Sequence, residues 1–565
     1  MSAVRYRAGF ARADITAFVP ELSLFGWGDP RNRPLRVAKP LHARAMALES
    51  ASGERLVYVC CDLGMISEAL RRRVWARLES ASIALDEHAL VLTATHTHAG
   101  PAGISDYLFF AMAGPGWSPA LCDAIADRIA AAIGEAVAAL VPARLSLHET
   151  VIPLSEPVAF NRSVRAYNRN PDVTPVTEER RDEAVDRTMV VLRVDHASGA
   201  PLGMVAWFGL HGTCIHADHT VIHPDHKGEA ATQVEAHYAE RGAPGFVAIF
   251  AQTSPADVTP NHRWDGRRGI EVGRYADDLE SAAFVGEIQA RHALAAGRGA
   301  GIELRGGVSF AMSSLDLFDA PVDAEFAHGR VGLRTAPAAV GWSFMGGTAE
   351  GRGPLGAVAR LLPKLGQAKA RLLELCGREP SAQDPKLVFW DLRRADEGRV
   401  LGFFAPKHPV VPLIPDPHTR YFAEAIRHPD TAASPCAPRH LPVQLVRIGE
   451  LALAALPFEP TVTSGRRMAA ALASRLPGVA RVVVNGYANG YAGYAVTPEE
   501  YDEQGYEGAS TLYGRLTVPA LCTKLVQLVS TLRTDREARP TEPVESRLAP
   551  IRHPIAKAIE EEHRT

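Results

Sequence analysis

The feature that most constrains this chain is a repeated pattern in which an apolar, strand-like run stops at a polar residue able to bind a metal or move a proton. Residues 89–95 lead into His96-Thr97-His98, and residues 203–208 lead into His211. Residues 451–458 lead into Glu459, and residues 481–484 into a tyrosine cluster, Tyr487, Tyr491 and Tyr494. Short buried runs alternating with helical periodicity predict an α/β fold with mixed central sheets and helices outside. In such sheets ligands gather beyond the carboxyl ends of the strands. Two histidines, a glutamate and a tyrosine delivered to one edge therefore predict a metal centre built from distant parts of the chain. An open zinc site of that kind is hydrolytic.

Other runs fill in the fold. Residues 41–49, 55–61, 188–194, 245–250 and 303–316 read as strands, the last with a turn at 306–307, and residues 7–16 read as an edge strand and turn. Helical periodicity marks 67–80, 119–140, 273–297, 462–475 and 516–533. The glycine-rich stretch 341–356 could wrap a ligand but lacks a phosphate-loop pattern. The stretch 405–442, rich in proline and histidine, reads as a long loop or lid. The expected organisation is one large catalytic domain over 1–533 and a charged tail over 534–565.

Composition excludes several classes. A formal net charge of −3 gives no footprint for nucleic acid. The 7 cysteines are odd in number and lack CxxC spacing, which fits reduced thiols better than a disulfide framework. No secretory leader is visible, so the expected location is cytoplasmic. No apolar run is long enough for a transmembrane helix.

Each candidate has a plainer alternative. His96 and His98 lie two apart, so a strand end presents both on one face. One can bind a metal while the other stays free beside it, or both can be buried, hydrogen-bonded histidines. Glu459 follows an apolar run, and a buried carboxylate needs compensation. A metal would supply it, as would Arg466 or Arg467. Tyrosine has an ordinary pKa of about 10, which a dication would have to lower; an aromatic core cluster is the alternative. The segment 211–226 carries histidines at 211, 216, 219, 223 and 226, so a second ion is conceivable, although Pro224 interrupts any continuous helix presenting them.

Eight motifs then occur in order: THTHAGP (95–101), NRSVRAYNRNP (161–171), WFGLHGT (207–213), HPDHKG (223–228), ADVTPN (256–261), GWSFMGGTAEGRG (341–353), LPFEPTVTSGRR (456–467) and YEGASTLYG (506–514). Together, over about residues 7 to 530, they resemble the neutral/alkaline non-lysosomal ceramidases. The resemblance implies one zinc ion held by His96, His211, Glu459 and Tyr494, with Tyr491 as competitor for the last place. It implies substrate contacts from His98, Arg162, Tyr506 and Tyr501. His98 would be the general acid, Tyr506 the oxyanion donor, and Arg162 the group holding a substrate hydroxyl or carbonyl.

There are departures from the family pattern. Thr259 stands where the family has a serine; it keeps the hydroxyl and remains a catalytic candidate, although Thr-Pro-Asn is also a turn signal. Asp257 beside it is assigned to the substrate site or to orienting a ligand histidine. An immunoglobulin-like terminal domain and a signal peptide, both found in family members, are not expected here. The implied reaction is hydrolysis of the N-acyl amide bond of ceramide, with transient membrane contact. The alternatives are a zinc amidase or esterase acting on a smaller soluble substrate, and a non-catalytic zinc-containing binding protein.

Overall fold

The computed structural model describes residues 6–29, 31–111, 116–353, 355–377, 381–393, 399–400, 404–405, 408–413 and 436–532. The expected tail 534–565 and much of the expected loop or lid at 405–442 lie outside the described residues.

A nine-stranded mixed sheet runs in the order Val247–Ala251, Pro201–Trp207, Thr188–His196, Val141–Val151, Tyr6–Asp14, His42–Ser50, Arg55–Cys61 and Leu90–Ala94, with Ile302–Glu303 added beside Val141–Val151. A four-stranded sheet follows the order Val308–Asp316, His440–Ile448, Leu451–Ala455 and Arg481–Asn485. The strand expected at the edge over 7–16 is interior, paired with both His42–Ser50 and Val141–Val151. Its two arginines are about half exposed and ion-paired, Arg7 to Glu49 and Arg12 to Glu235.

Arg55–Cys61 shows why these runs look uniformly apolar. Val57, Val59 and Cys61 face a cluster shared with the helices Glu68–Ser80 and Pro119–Ala138. Leu56, Tyr58 and Cys60 face the other way, into a cluster that includes Val446, Leu453 and Val483 of the second sheet. A strand buried on both faces loses the polar alternation of a surface strand. Each large apolar side chain so buried contributes about 1.5–3 kcal/mol of transfer free energy. A third cluster lies under the helices Asp225–Ala239 and Asp278–Ala296. Local signals set the helix ends: Ser67 caps Glu68–Ser80 by accepting from the Leu70 amide, and Asp277 caps Asp278–Ala296. That second cap starts the helix five residues later than the periodicity over 273–297 predicts.

Parallel pairing joins Arg55–Cys61 to Leu90–Ala94, Pro201–Trp207 to Val247–Ala251, and Leu451–Ala455 to Arg481–Asn485. Their carboxyl ends are stitched together across the two sheets. Asn485 Nδ2 donates to Thr93 Oγ1 and to Gln252 O, each at 3.2 Å, and Gln252 Nε2 donates to Thr95 O at 2.8 Å. The polar residues after these strands are thereby collected at one place. Among the described residues no helix is long and apolar enough to cross a membrane.

Candidate metal centre and its cleft

His96 leaves its strand with φ +63°, a left-handed conformation uncommon outside glycine. Such strain persists where neighbouring contacts enforce it, typically at functional sites. Here Thr97 bridges to Gly212, and the His98 amide donates to Gly212 O at 3.0 Å. A Cβ on Gly212 would sit 2.1 Å from His96 O, so only glycine lets the two histidine-bearing segments approach this closely.

His96 Nδ1 lies 2.5 Å from Gly64 O, and His211 Nδ1 lies 3.2 Å from Pro255 O. A carbonyl only accepts, so both Nδ1 atoms carry the proton and both Nε2 atoms present lone pairs. Burial lowers the pKa of both rings, His211 well below its ordinary value, which keeps them neutral. Their Nε2 atoms face each other at 3.1 Å, and His98 Nε2 lies 3.1 Å from that of His96. Glu459 Oε2 is 3.7 Å from His96 Nε2 and 3.8 Å from His211 Nε2. Among the described residues it is buried without a hydrogen-bond partner, whereas Oε1 accepts from the Tyr491 hydroxyl. Facing lone pairs beside an orphaned carboxylate oxygen repel one another, and a cation among them removes the conflict. The nitrogen and oxygen donor set therefore fits a divalent metal ion.

The tyrosine cluster divides by partner. Tyr487 stacks on His96 at a 4.2 Å centroid distance, and Tyr491 is committed to Glu459. The Tyr494 hydroxyl accepts from Arg162 Nη2 at 3.1 Å, and its strand residue pairs in register with Glu459. Burial, then the Glu459 carboxylate, pushes all three phenols well above their usual pKa.

Arg162 is held on every side. Nε donates to Glu507 at 2.9 Å, Nη1 to Glu350, and Nη2 to Ala256 O at 2.7 Å as well as to Tyr494. Four of its five N–H groups are thus engaged by protein. Glu350 in turn accepts from Thr213 at 3.0 Å, from Asn261 at 2.7 Å and from Thr259. Burial would raise the Glu350 pKa, but Arg162, Thr259 and Asn261 outweigh it and hold it below the usual carboxylate value. Glu350 was not among the residues singled out from the sequence; a lone acid inside the glycine-rich stretch 341–353 is the signal that marks it.

These groups form the floor of a cleft with a cavity volume of about 170 Å³. Its walls are apolar: Phe25, Trp27, Phe109, Phe110, Phe344 and Trp390. Tyr506 lines the same cleft, stacked on Phe344 at 5.7 Å.

The family model for the neutral/alkaline non-lysosomal ceramidases, N-terminal region, matches residues 6–358 and 428–523. The chain belongs to that family. It is 32% identical to the neutral ceramidase of Pseudomonas aeruginosa, over 94% of this chain and 72% of the relative, and 30% identical to that of Mycobacterium tuberculosis, over 93% and 76%. A solved structure described as ceramidase complexed with C2 superposes with a TM-score of 0.75 at 30% identity, covering 95% of this chain and 77% of the other. As a ceramidase-family member the chain is a hydrolase of linear amide C–N bonds.

Against the ceramidase motifs, several expected residues sit elsewhere. Tyr501 is buried away from the cleft, its hydroxyl donating to Gln383 O at 2.9 Å. Asp257 touches neither ligand-candidate ring; it accepts from Val462 N at 2.9 Å and Asn161 Nδ2 at 2.7 Å, and Pro255 O takes the His211 contact instead. Thr259 spends its hydroxyl on Glu350. Arg466 and Arg467 do not pair with Glu459; Arg467 binds Asp172 and Glu499 at 2.7 Å each. The extra histidines disperse. His216 reaches Asp278 at 2.8 Å, His223 reaches Glu229 at 3.3 Å, and His226 donates to His211 O at 2.9 Å. Asp218, His219 and Asp278 do approach one another, but Arg268 ion-pairs with both acids, and His219 itself reaches Asp278 at 3.3 Å.

Proposed function

We propose that this chain is a zinc-dependent amidohydrolase that cleaves the N-acyl bond of ceramide or a closely related N-acyl lipid, yielding a fatty acid and a long-chain amine. The observation that carries the metal is the pair of facing Nε2 lone pairs beside the orphaned Glu459 oxygen. His96, His211 and Glu459 would hold one zinc ion, with Tyr494 as the fourth ligand. Tyr494 is favoured over Tyr491 because Tyr491 already donates to Glu459, whereas the Tyr494 oxygen is supported by the Arg162 cation. Zinc bound there supplies Lewis-acid polarisation of a carbonyl and activation of water near neutral pH.

The remaining steps fall to the chain's own side chains. His98 is kept neutral by burial, with no hydrogen-bond partner on Nδ1 among the described residues, and its Nε2 faces the donor cluster. A proton taken up there can be passed to the departing amine nitrogen. Tyr506 donates its phenol hydrogen to the developing oxyanion, a contact typically worth about 3 kcal/mol. Arg162 has little capacity left for substrate, so its part is to orient Tyr494 and, through Glu350, to tie the glycine-rich wall to the floor. The aromatic wall excludes water and accepts acyl and sphingoid chains, which favours a lipid over a small polar amide. Thr259 keeps the Glu350 contact through its hydroxyl and is not the nucleophile.

The test is turnover of a fluorescent long-chain ceramide against short N-acyl amines, before and after chelation and with graded zinc return. The expected result is chelator-sensitive, zinc-restored cleavage with preference for the long chain. Metal-replete protein that cleaves only short amides, or none, overturns the reading.

A further inference from the structure

Residues 356–375 form two nearly continuous helices, Gly356–Leu361 and Pro363–Leu375. Leu361, Leu365, Ala368, Leu372 and Leu375 recur at spacings of four and three, which places them on one stripe. The four leucines are 62%, 61%, 62% and 86% exposed in chain order. The opposite face is the one that docks: Gly366 packs so closely on Pro385 O that a Cβ would lie 2.1 Å from it, and Gln367 Nε2 donates to Asp502 O at 3.0 Å. The exposed stripe is therefore not a core face seen from the wrong side. Basic residues flank it, Lys364 and Arg371 on one side and Lys369 on the other, against one acid, Glu374. Lys364 and Arg371 have no ion-pair partner among the described residues, whereas Lys369 reaches Asp384 at 3.0 Å.

The helices grow directly out of the cleft wall. Gly353 lines the cleft three residues before Gly356, and the Leu355 amide donates to O of cleft-lining Met345 at 3.0 Å. An apolar stripe edged with lysine and arginine is the pattern of a helix lying in the plane of an anionic lipid surface, with its basic stems reaching out to the headgroups.

We propose that this stripe docks the chain on an anionic bilayer and brings the cleft mouth to the membrane. The docking deepens the lipid-amide reading and rests on it for its purpose, but the contact itself is independent of catalysis.

Flotation with phosphatidylcholine vesicles, with and without phosphatidylglycerol, tests it. The full chain is compared with the triple variant Leu365→Ser/Leu372→Ser/Leu375→Ser and the charge variant Lys364→Gln/Arg371→Gln. All three positions of the triple variant are exposed, and thermal unfolding at the parental temperature verifies the fold. The expected result is binding to phosphatidylglycerol vesicles that falls at least about tenfold in the triple variant and about fivefold per charge removed. Turnover of a dispersed short N-acyl amide stays parental while turnover of vesicle-embedded ceramide drops. Parental vesicle binding by both variants overturns the proposal. So does absence of binding by the parent, or a shift from dimer to monomer in the triple variant, which would show that a second copy covers the stripe. Vesicle binding lost in the variants from a protein that cleaves no amide would leave the docking intact and sink the hydrolase reading instead.

Discussion

The floor of the cleft and its wall are built on opposite principles. The floor is made of strand ends locked by short-range geometry: His96 at positive φ, Gly212 against the His96 carbonyl, and Asn485 and Gln252 bridging the sheets. Among the described residues Glu459 Oε2 and His98 Nδ1 are buried there without a hydrogen-bond partner, as are Thr95 Oγ1, the Tyr487 hydroxyl and Asn261 Oδ1; the first two belong to side chains of the donor cluster, where chemistry is expected. The wall is made of glycine-rich turns and aromatic rings, tied down chiefly by Glu350 and ending in a helix whose leucines face solvent. The lesson is that the reacting groups come from strand ends whose positions are fixed by sheet register, whereas the apolar surface for a substrate comes from turns and rings outside the sheets.

Changes to the floor are expected to cost most. His96→Ala or His211→Ala removes a donor facing the orphaned carboxylate, and the loss in kcat/KM should exceed the 10²–10³-fold typical of deleting a single oxyanion donor. Metal content measured in parallel should fall with it; full metal retention would show that the donor cluster is misassigned. Glu350→Gln tests the joint between floor and wall. Breaking a buried ion pair costs about 3–5 kcal/mol, so the denaturation midpoint should drop along with activity. A variant of parental stability would show that Glu350 does not carry the joint. Gly212→Ala forces a Cβ onto the His96 carbonyl and should cost about 1–3 kcal/mol in urea unfolding, as overpacking does.

Away from both regions, Asp278 offers a control on pH. Burial would raise its pKa, but His216 and Arg268 outweigh that and hold it below the ordinary 3.8. A depressed carboxylate contributes stability above 3.8 that disappears as pH falls through the lower folded value. Asp278→Asn should therefore destabilise the protein at neutral pH, and the difference from parent should shrink in acid; a gap independent of pH would show that the ion pairs do not produce it. Smallest of all, Thr259→Ser keeps the hydroxyl on Glu350 and should leave kcat within about threefold of parent. A loss comparable to that of His96→Ala would give Thr259 a direct part in the chemistry.

Much of the frame was legible because two-sided burial writes itself into sequence. Arg55–Cys61 and Leu90–Ala94 read as apolar runs since both faces meet core. The strand at Tyr6–Asp14 is interior because it also pairs with Val141–Val151, a segment more than a hundred residues away that no local pattern announces. Within the candidate site, His96, His98, His211 and Glu459 were visible as polar stops after strands. Tyr501 was implied by the family resemblance, and Asp257 and Arg466 by their motifs, yet their side chains make other contacts, since adjacency in sequence does not fix direction. Glu350 escaped notice because its four donors come from Arg162, Thr213, Thr259 and Asn261, which no local pattern connects.

Local patterning by itself determined the strands, the caps and the kinds of donor atom each strand end delivers, because burial and helix termini act over a few residues. Only the tertiary structure decided which of those atoms meet. The convergence of Nε2 and Oε2 within 4 Å depends on strand register and on one glycine contact, and those are settled by packing between segments more than a hundred residues apart.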